Sequence, residues 1–341
     1  MRKIEKLFLI FVLTGLLLKT PVWGLSSGEI IDEVIFSVNG KIFTRKDFEE
    51  NVRIFKEFYL DKKSLSEENI KEVVLKKTID EILLEEQAER EDIKVLPEEL
   101  ERALKALRGK LTEERFLNRL KEKGITYDGL KRKIEREILA EKMMKWKAER
   151  IKEEIEIKED EIKDFFALLK QYIYGEKVEN EDIINFYEIY SRQIDQEEKV
   201  WLLQIVVEGK QRAEKVLQNI KEGKENFSEA AKRFSIGPAA EKGGDLGWLS
   251  LTQIQKPLRS IVGKMKEGEV TSPIKINEKY YRILQVKAHK SLSFEKWKDK
   301  IKIYLLNRKT IQELDRWLKK LEQESFIQII EKDLKEKWKS L

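Results

Sequence analysis

The stretch KGGDLGWLS, residues 242–250, places three glycines within five positions of a chain that is otherwise rich in helix-forming residues. Glycine tolerates a positive φ and the close approach of other backbone, and it costs about 0.5–1 kcal/mol inside regular structure. Gly243, Gly244 and Gly247 therefore predict a tight backbone path that must be held in one conformation. We expect the Asp245 side chain to bind backbone amides of this path, because Asp commonly does so in turns.

The first 24 residues differ in character from the rest of the chain. MRKIEK is basic, residues 7–18 carry no charge and are largely apolar, and PVWG follows before Leu25. This order is typical of a secretory signal peptide, and 12 residues are too few to span a bilayer comfortably. We therefore predict export to the periplasm, with membrane attachment only where the segment is left uncleaved.

Charge and cysteine content exclude several classes of protein. Charged residues make up 39% of the chain, and 69 basic residues nearly balance 64 acidic ones. Removal of residues 1–24 takes away four basic and one acidic side chain, which lowers the formal net charge from +5 to +2. Such a chain is poorly suited to nucleic acid, whose binding depends on phosphate neutralisation. With one His and no Cys, we expect no disulfide, no metal site and no other cofactor.

The N-terminal half reads as helical with one small hairpin. DEVIFSVNGKIFTRKDF predicts a strand, a turn at Asn39-Gly40, a short strand and a helix capped by Thr44. The polar stretch 193–199 predicts a domain boundary. Apolar residues spaced by three and four, together with capping residues, predict further helices over 66–91, from Pro97, from Thr112 to Gly124, from Tyr127 to about Ile151, after Ile157 and after Val178.

From Val200 the pattern becomes mixed. An apolar strand, two helices, the glycine loop, a helix from Pro257 and two strands around Asn277 follow in order, which suits a compact α+β domain. A long amphipathic helix then covers 293–325, and FIQII from Phe326 predicts a last strand. Because an isolated amphipathic helix needs an apolar partner, we expect this helix to pack on the helical N-terminal region.

Two parts of the sequence resemble known families. Residues 227–274, with GGDLGW and GEVTSP, resemble a parvulin domain, the small peptidyl-prolyl isomerase fold. DEVIFSVNGKIFT, IDEILLEEQAERE and GITYDGLKRKIEREILAEKM are similar to the chaperone module of the SurA family. The resemblance implies a multidomain α+β protein, mostly helical at its N-terminal end. Its expected parts are a signal peptide (1–24), a SurA-like domain with a helical connector (25–195), a parvulin-like domain (196–290) and a C-terminal helix and strand that pack back on the N-terminal domain (291–341).

The resemblance also assigns candidate site residues. In active parvulins a His, an Asp or Cys, and a second His form a polar cluster beside a proline pocket, and these positions correspond here to Gln204, Gly237 and Arg282. All three differ, which implies weak or lost isomerase activity. The single His289 is expected to lie in an exposed loop beyond the last strand. The apolar pocket is retained in character, although the same pattern is also typical of ordinary core, at Leu246, Trp248, Leu249, Ile254 and Leu258.

The function implied by the resemblance is that of an exported folding chaperone. Its partners would be unfolded polypeptides such as outer-membrane proteins, held in apolar clefts that keep aggregation-prone strands apart. Because the chain has no Walker-type phosphate-binding motif, we expect this cycle to be independent of ATP. Two alternatives stay open, namely an active prolyl isomerase that uses Gln204 and Arg282 as an altered hydrogen-bonding pair, and a membrane-tethered scaffold that binds no client.

Overall fold

The computed structural model describes residues 32–60 and 66–340, so the predicted signal segment 1–24 lies outside the described residues. The chain divides into two compact units. The first contains the described residues up to Ala140 together with those from Glu322, and the second is Glu141–Leu321. Within the described residues, no helix combines the length and the apolar character needed to cross a membrane.

The first unit joins both ends of the described chain in one sheet. Strand β1 (Val34–Val38) pairs antiparallel with β2 (Lys41–Thr44) on one side and with β7 (Ile327–Ile329) on the other. The turn between β1 and β2 is the predicted one, with positive φ at Asn39 and Gly40. The helices of this unit are α1 (Arg45–Phe58), α2 (Glu67–Arg90), α3 (Pro97–Arg108), α4 (Glu113–Glu122), the first half of α5 (Tyr127–Glu154) and α12 (Lys332–Ser340).

Local sequence explains where these helices begin. The Thr44 side chain accepts a hydrogen bond from the Asp47 amide, and Asp47 returns one to the Thr44 amide, so α1 starts with a capping box. The Ser66 and Thr112 side chains cap α2 and α4 by accepting hydrogen bonds from the Asn69 and Arg115 amides, and Pro97 occupies the first turn of α3. These starts confirm the sequence predictions, whereas α12 was not predicted.

One sheet face forms the core of this unit. Phe36 lies opposite both Phe43 and Ile329, and the rings of Phe36 and Phe43 stack with centroids 4.8 Å apart. These residues pack in one cluster with Val74 of α2 and Leu334 of α12. The C-terminal end of the chain therefore contributes both a strand and a helix to the core that the N-terminal hairpin begins.

The second unit contains a four-stranded antiparallel sheet in the order β4-β3-β6-β5. Its strands are β3 (Lys199–Glu208), β4 (Asp245–Ser250), β5 (Ile274–Lys275) and β6 (Tyr280–Lys290). Its helices are α6 (Glu159–Ile173), α7 (Glu181–Glu197), α8 (Lys210–Lys221), α9 (Phe227–Phe234), α10 (Lys256–Val262) and most of α11 (Phe294–Glu324), together with the second half of α5.

Three features of this unit differ from the sequence predictions. The second part of the glycine segment is strand β4 and not loop. His289 lies inside β6 rather than beyond it, because β6 continues to Lys290 in register with β3. The stretch 193–199 contains no linker, since α7 runs to Glu197 and β3 begins at Lys199.

The long helix α11 packs first within the second unit. Its fully buried Trp297 and Ile301 share a core with Phe165 of α6 and Phe186 of α7. The Trp297 ring meets the Phe186 ring at 6.0 Å in an edge-to-face arrangement. The predicted packing of this helix on the helical N-terminal region is confirmed, with α6 and α7 as its partners, while the residues from Glu322 onward belong to the first unit.

Candidate functional site

The strand register brings Gln204 and Arg282 to the same face of the second sheet. Gln204 of β3 lies opposite Leu284 of β6, and Val206 lies opposite Arg282. Directly opposed residues of antiparallel strands project to one side, as do residues two apart along a strand. All four side chains therefore share one face, which we call the Gln204 face.

Packing on the two sides of the sheet agrees with this assignment. Leu203, Ile205 and Ile283 alternate with the residues above and pack in a cluster with helices α8 and α9. Leu202 and Leu284 lie on the Gln204 face and belong to the other core, with α6, α7 and α11. Strand β3 is therefore covered on both sides around Leu202, as its apolar sequence predicted, whereas Gln204 and Val206 stay half-buried.

The third predicted position also reaches this face. Gly237 follows α9, and a Cβ added to it would lie 3.1 Å from Cγ2 of Val206. A backbone hydrogen bond holds the segment after α9 against β3, because the Ile236 amide donates to the Val206 carbonyl at 2.8 Å. The Ser235 hydroxyl oxygen accepts from the amides of Val206 (3.0 Å) and Gly237 (3.2 Å). Gln204, Gly237 and Arg282 are thus grouped around Val206.

The three positions do not form a hydrogen-bonded network. In the described ranges 32–60 and 66–340, neither the side-chain amide of Gln204 nor the guanidinium of Arg282 has a hydrogen-bond or ion-pair partner. Both side chains are half-buried. Gly237 has no side chain to contribute. The group can donate hydrogen bonds to a ligand, but it contains no acid–base pair.

The glycine segment is held against the backbone of this site. Gly244 has a φ of +81°, and a Cβ on it would lie 2.5 Å from the Gln204 carbonyl oxygen. The backbone amide of Gln204 in turn donates to the Gly244 carbonyl at 2.8 Å. Gly243, at φ +68°, would place a Cβ 2.9 Å from Cβ of Ser228. These two glycines allow the segment to pass between β3 and α9.

Asp245 holds the start of β4. Its Oδ1 accepts hydrogen bonds from Trp201 Nε1 at 2.6 Å and from the Gly247 amide at 2.8 Å. The Lys287 ammonium lies 3.8 Å from Oδ2. Burial acts to raise the pKa of Asp245, but the hydrogen bonds from Trp201 and Gly247 and the charge of Lys287 outweigh it and hold the pKa below its usual value. Asp245 binds one backbone amide and one indole here.

Four of the five predicted pocket residues lie together. Leu246, Leu249 and Leu258 are half-buried and pack against the core that contains Ile254, which is 9% exposed. This core also contains Leu202 and Leu284 of the Gln204 face. The apolar residues and the three polar-cluster positions are therefore on the same side of the sheet.

Trp248 lies on the opposite side. It pairs with Trp201, the ring centroids are 5.5 Å apart, and Trp248 is 43% exposed. The reason is a register shift, since Leu202 faces Gly247 while Leu203 faces Asp245, which leaves Leu246 without an opposite residue. Strict alternation read from the sequence cannot reveal such a bulge, so the structure does not bring Trp248 to the other four residues.

His289 does not belong to this group either. It pairs with Val200, at the opposite end of β6 from Arg282. Its Nε2 lies 2.7 Å from the Met265 carbonyl oxygen, and the side chain is half-buried rather than exposed. Its role is to connect β6 to the segment after α10.

Sequence reasoning also missed residues that position the site. Thr271 is 6% exposed, its amide donates to the Leu284 carbonyl at 2.8 Å, and its hydroxyl accepts from the Leu284 amide at 3.0 Å. Together with Ser235, it supplies hydrogen bonds to the strands that carry Arg282 and Val206. The only sequence signal for either is a hydroxyl residue next to an apolar one, which is too common to single out.

Comparison with known proteins agrees with this architecture. Residues 1–144 match the family described as SurA-like N-terminal domain, and residues 206–288 match the PPIC-type PPIASE domain. The chaperone SurA of Methylococcus capsulatus is 30% identical over 60% of this chain and 43% of its own length. The foldase protein PrsA of Geobacillus kaustophilus is 26% identical over 67% of this chain and 86% of its own length.

A solved structure aligns with most of the chain. The crystal structure of the peptidylprolyl isomerase PrsA from Bacillus cereus is 21% identical and covers 90% of this chain and 98% of its own, with a TM-score of 0.30. The aligned part of this chain spans less than two thirds of the Methylococcus SurA. On its sequence matches, the chain combines a SurA-like N-terminal domain with a PPIC-type rotamase domain and is similar to the SurA chaperones and PrsA foldases.

Proposed function

We propose that this protein is an exported folding chaperone that binds unfolded polypeptides without ATP, and that its parvulin-like domain binds peptides with weak or no isomerase activity. The clients would be exported chains, outer-membrane proteins among them. The observation that carries the proposal is the Gln204 face, where an apolar group with Leu246 and Leu258 adjoins polar positions that contain no acid–base pair.

The chemistry of isomerisation supports a reduced activity. Rotation about a prolyl amide faces a barrier set by amide resonance, on the order of 18–20 kcal/mol. A catalyst must stabilise the twisted amide relative to the planar one, by desolvation and by hydrogen bonds formed in the transition state. Among the residues that the structure describes, no side chain orients Gln204 or Arg282, and Gly237 offers no side chain, so little of this stabilisation is pre-organised.

The first unit offers a separate surface for clients. Ser37 of β1 lies opposite Ile42 and Gln328, so these residues face away from the Phe36 core. On or beside that outer side, Ile42, Phe326 and Ile330 are 61%, 69% and 54% exposed. Grouped exposed apolar residues are typical of interaction sites. We call Ile42, Phe326 and Ile330 the sheet patch.

A location outside the cytoplasm, in the periplasm, is part of the proposal. It rests on the signal-like order of residues 1–24. N-terminal sequencing of the protein from cells by mass spectrometry tests it, and a new terminus near Gly24 is the expected result. An intact Met1 in the membrane fraction would instead support the tethered scaffold.

The central experiment measures two activities on one preparation of the whole exported chain. We expect it to suppress aggregation of a diluted, unfolded outer-membrane protein at roughly equimolar ratio, and to accelerate cis–trans exchange of an X-Pro peptide by less than roughly tenfold, since Gln204 and Arg282 are not held in a pre-organised hydrogen-bond network among the described residues. Strong acceleration that Leu258→Asp abolishes would contradict the proposal.

An active isomerase is the second candidate, and one observation favours it. Gln204 and Arg282 project from neighbouring strands to the same face, so both could bind one prolyl carbonyl. In that case Gln204→Ala and Arg282→Ala would each reduce the exchange rate while aggregation suppression stays unchanged. Under the main proposal neither variant alters the exchange rate measurably.

A further inference from the structure

Arg282 is a positive charge in a largely apolar setting. Its nearest neighbours on the Gln204 face are Val206, opposite on β3, Ile274, opposite on β5, and Leu284 and Tyr280, each two residues away on β6, with Glu208 two residues beyond Val206. The guanidinium is half-buried and permanently charged. Charged groups taken partly out of water are normally paired, because their desolvation is costly.

The acidic side chains on the strands and turns around Arg282 have other partners. Glu278, in the β5–β6 turn, binds Lys275 at 2.9 Å, and Glu208, at the end of β3, lies 3.4 Å from Lys279. Asp245 binds Trp201 on the other face of the sheet. Within the described residues, no carboxylate is paired with Arg282.

The position of Arg282 limits what an incoming anion can be. Residues two apart on a strand are separated by roughly 6.6 Å, so the Cα atom of Arg282 lies about that far from the Cα atom of Leu284, a buried residue that belongs to the same core as the apolar group. An extended peptide advances about 3.3–3.6 Å per residue. A proline packed against the apolar group would therefore bring a side chain one or two residues away to the guanidinium.

We propose that Arg282 binds the carboxylate of an acidic residue one or two positions from a bound proline, so that the Gln204 face selects Asp/Glu-containing prolyl segments of clients. The inference rests on the proposed peptide-binding function of this domain. Arg282 suits the role because its planar guanidinium can donate two parallel hydrogen bonds to one carboxylate.

The test uses the whole chain and short peptides amidated at the C-terminus, so that only an internal side chain supplies a carboxylate. Peptide sets that differ only in one residue, Glu, Gln or Lys, placed one or two positions from proline on either side, are titrated by NMR or calorimetry at low salt, and the sets with Glu, Gln or Lys are called Glu-Pro, Gln-Pro and Lys-Pro. We expect Glu-Pro to bind about tenfold more tightly than Gln-Pro, a ratio that falls as salt rises. Arg282→Gln should remove the preference, and Arg282→Glu should transfer it to Lys-Pro.

Lys287→Gln is the matched control. Lys287 is a basic residue of the same strand, but it lies over the Trp201 ring at 4.1 Å and beside Asp245 on the opposite side of the sheet. We expect this variant to keep the Glu-Pro preference. A Gln-Pro peptide with a free C-terminal carboxylate is also titrated. If its affinity exceeds that of the amidated Gln-Pro peptide by as much as the affinity of amidated Glu-Pro does, the inference is overturned, because the terminal carboxylate would then be the ligand.

Two other outcomes would also overturn it, and they separate the inference from the proposed function. Equal affinity for amidated Glu-Pro and Gln-Pro peptides removes the role of Arg282 and leaves the peptide-binding face intact. No measurable binding of any prolyl peptide, together with normal suppression of client aggregation, removes both the selectivity and the peptide-binding role of the domain.

Discussion

Gly244 and Gly247 both have positive φ, but only Gly244 is pressed against other backbone. We expect Gly244→Ala to lower the free energy of unfolding of the second unit by about 3 kcal/mol or more, since a positive φ costs about 1–2 kcal/mol and the new Cβ would meet the Gln204 carbonyl oxygen. Gly247→Ala, with no atom within 4 Å of its Cβ, should cost about 1 kcal/mol.

Denaturant unfolding followed by tryptophan fluorescence measures both glycine variants. Equal losses for the two would show that the close approach to Gln204 contributes nothing beyond φ. A larger loss for Gly247→Ala would contradict the packing of the segment altogether.

The buried ion pair of the first unit gives a second prediction at this scale. Lys133 and Glu81 are 4% and 3% exposed, with Nζ 2.5 Å from Oε2, and burial raises the pKa of Glu81 despite the attraction of Lys133. We expect Lys133→Met to destabilise the unit by about 3 kcal/mol, because the buried Glu81 carboxylate loses its hydrogen-bonded partner and keeps the more distant Lys77 ammonium, at 3.9 Å. The second substitution Glu81→Gln should restore part of the loss in thermal unfolding.

Lys56→Met is the control for this pair. Lys56 binds Glu67 at the surface of the same unit, and exposed pairs contribute little. We expect the melting temperature of Lys56→Met to equal that of the native chain. A loss as large as that of Lys133→Met would mean that burial is not what makes the Glu81 pair important.

At the scale of elements, α2 and the end of α11 meet through a titratable cluster. Lys76 binds Asp80 at 2.5 Å and also pairs with Glu322. Burial, with Glu322 as a second carboxylate, raises the pKa of Asp80 to about 7 against the attraction of Lys76. Because the folded pKa exceeds the unfolded one, the stabilisation is complete below about pH 3.8 and is lost as the pH rises through about 7.

We therefore expect the contact between α2 and the C-terminal segment to weaken between about pH 4 and 7, the interval between the unfolded and folded pKa of Asp80. Over this pH range, the hydrogen-exchange rates of the β7 and α12 amides should rise in both proteins. The rise should be larger in the native chain than in Asp80→Asn, whose side chain cannot ionise. The difference should correspond to on the order of 1–2 kcal/mol, allowing for partial exposure of the cluster. Parallel pH profiles for the two proteins would contradict the assignment.

Elements whose signals are local could be predicted from the sequence, and those that depend on distant contacts could not. Thr44, Ser66, Pro97 and Thr112 mark helix starts because a cap acts within one turn. FIQII was predicted as a strand, but nothing local indicates that it pairs with β1, almost the whole chain away.

The candidate site shows the same division. The resemblance grouped Gln204, Gly237 and Arg282 by motif, and the strand register places them around Val206. Trp248 was misplaced because the bulge at Leu246 arises from pairing with β3 and leaves no trace in the alternation of β4 itself. The sequence predicts a loop at His289 because the length of β6 is set by its partner strand β3, which no local signal reveals.

At the scale of the whole molecule, two surfaces in different units are proposed to contact clients. If they act separately, damage to one should spare the other. We expect Phe326→Asp with Ile330→Asp, in the sheet patch, to reduce aggregation suppression several-fold and leave prolyl-peptide binding unchanged. Leu258→Asp, on the Gln204 face, should abolish peptide binding and leave most of the aggregation suppression.

Ile189→Asp separates these effects from a general response to surface charge. Ile189 is 65% exposed on α7, comparable with Phe326 at 69%, and it belongs to neither surface. We expect this variant to match the native chain in both assays, with all variants checked for native unfolding midpoints. If Leu258→Asp loses both activities while the sheet-patch variant keeps both, clients bind only at the Gln204 face. A single shared site predicts this result, because a change that removes peptide binding there also removes client binding.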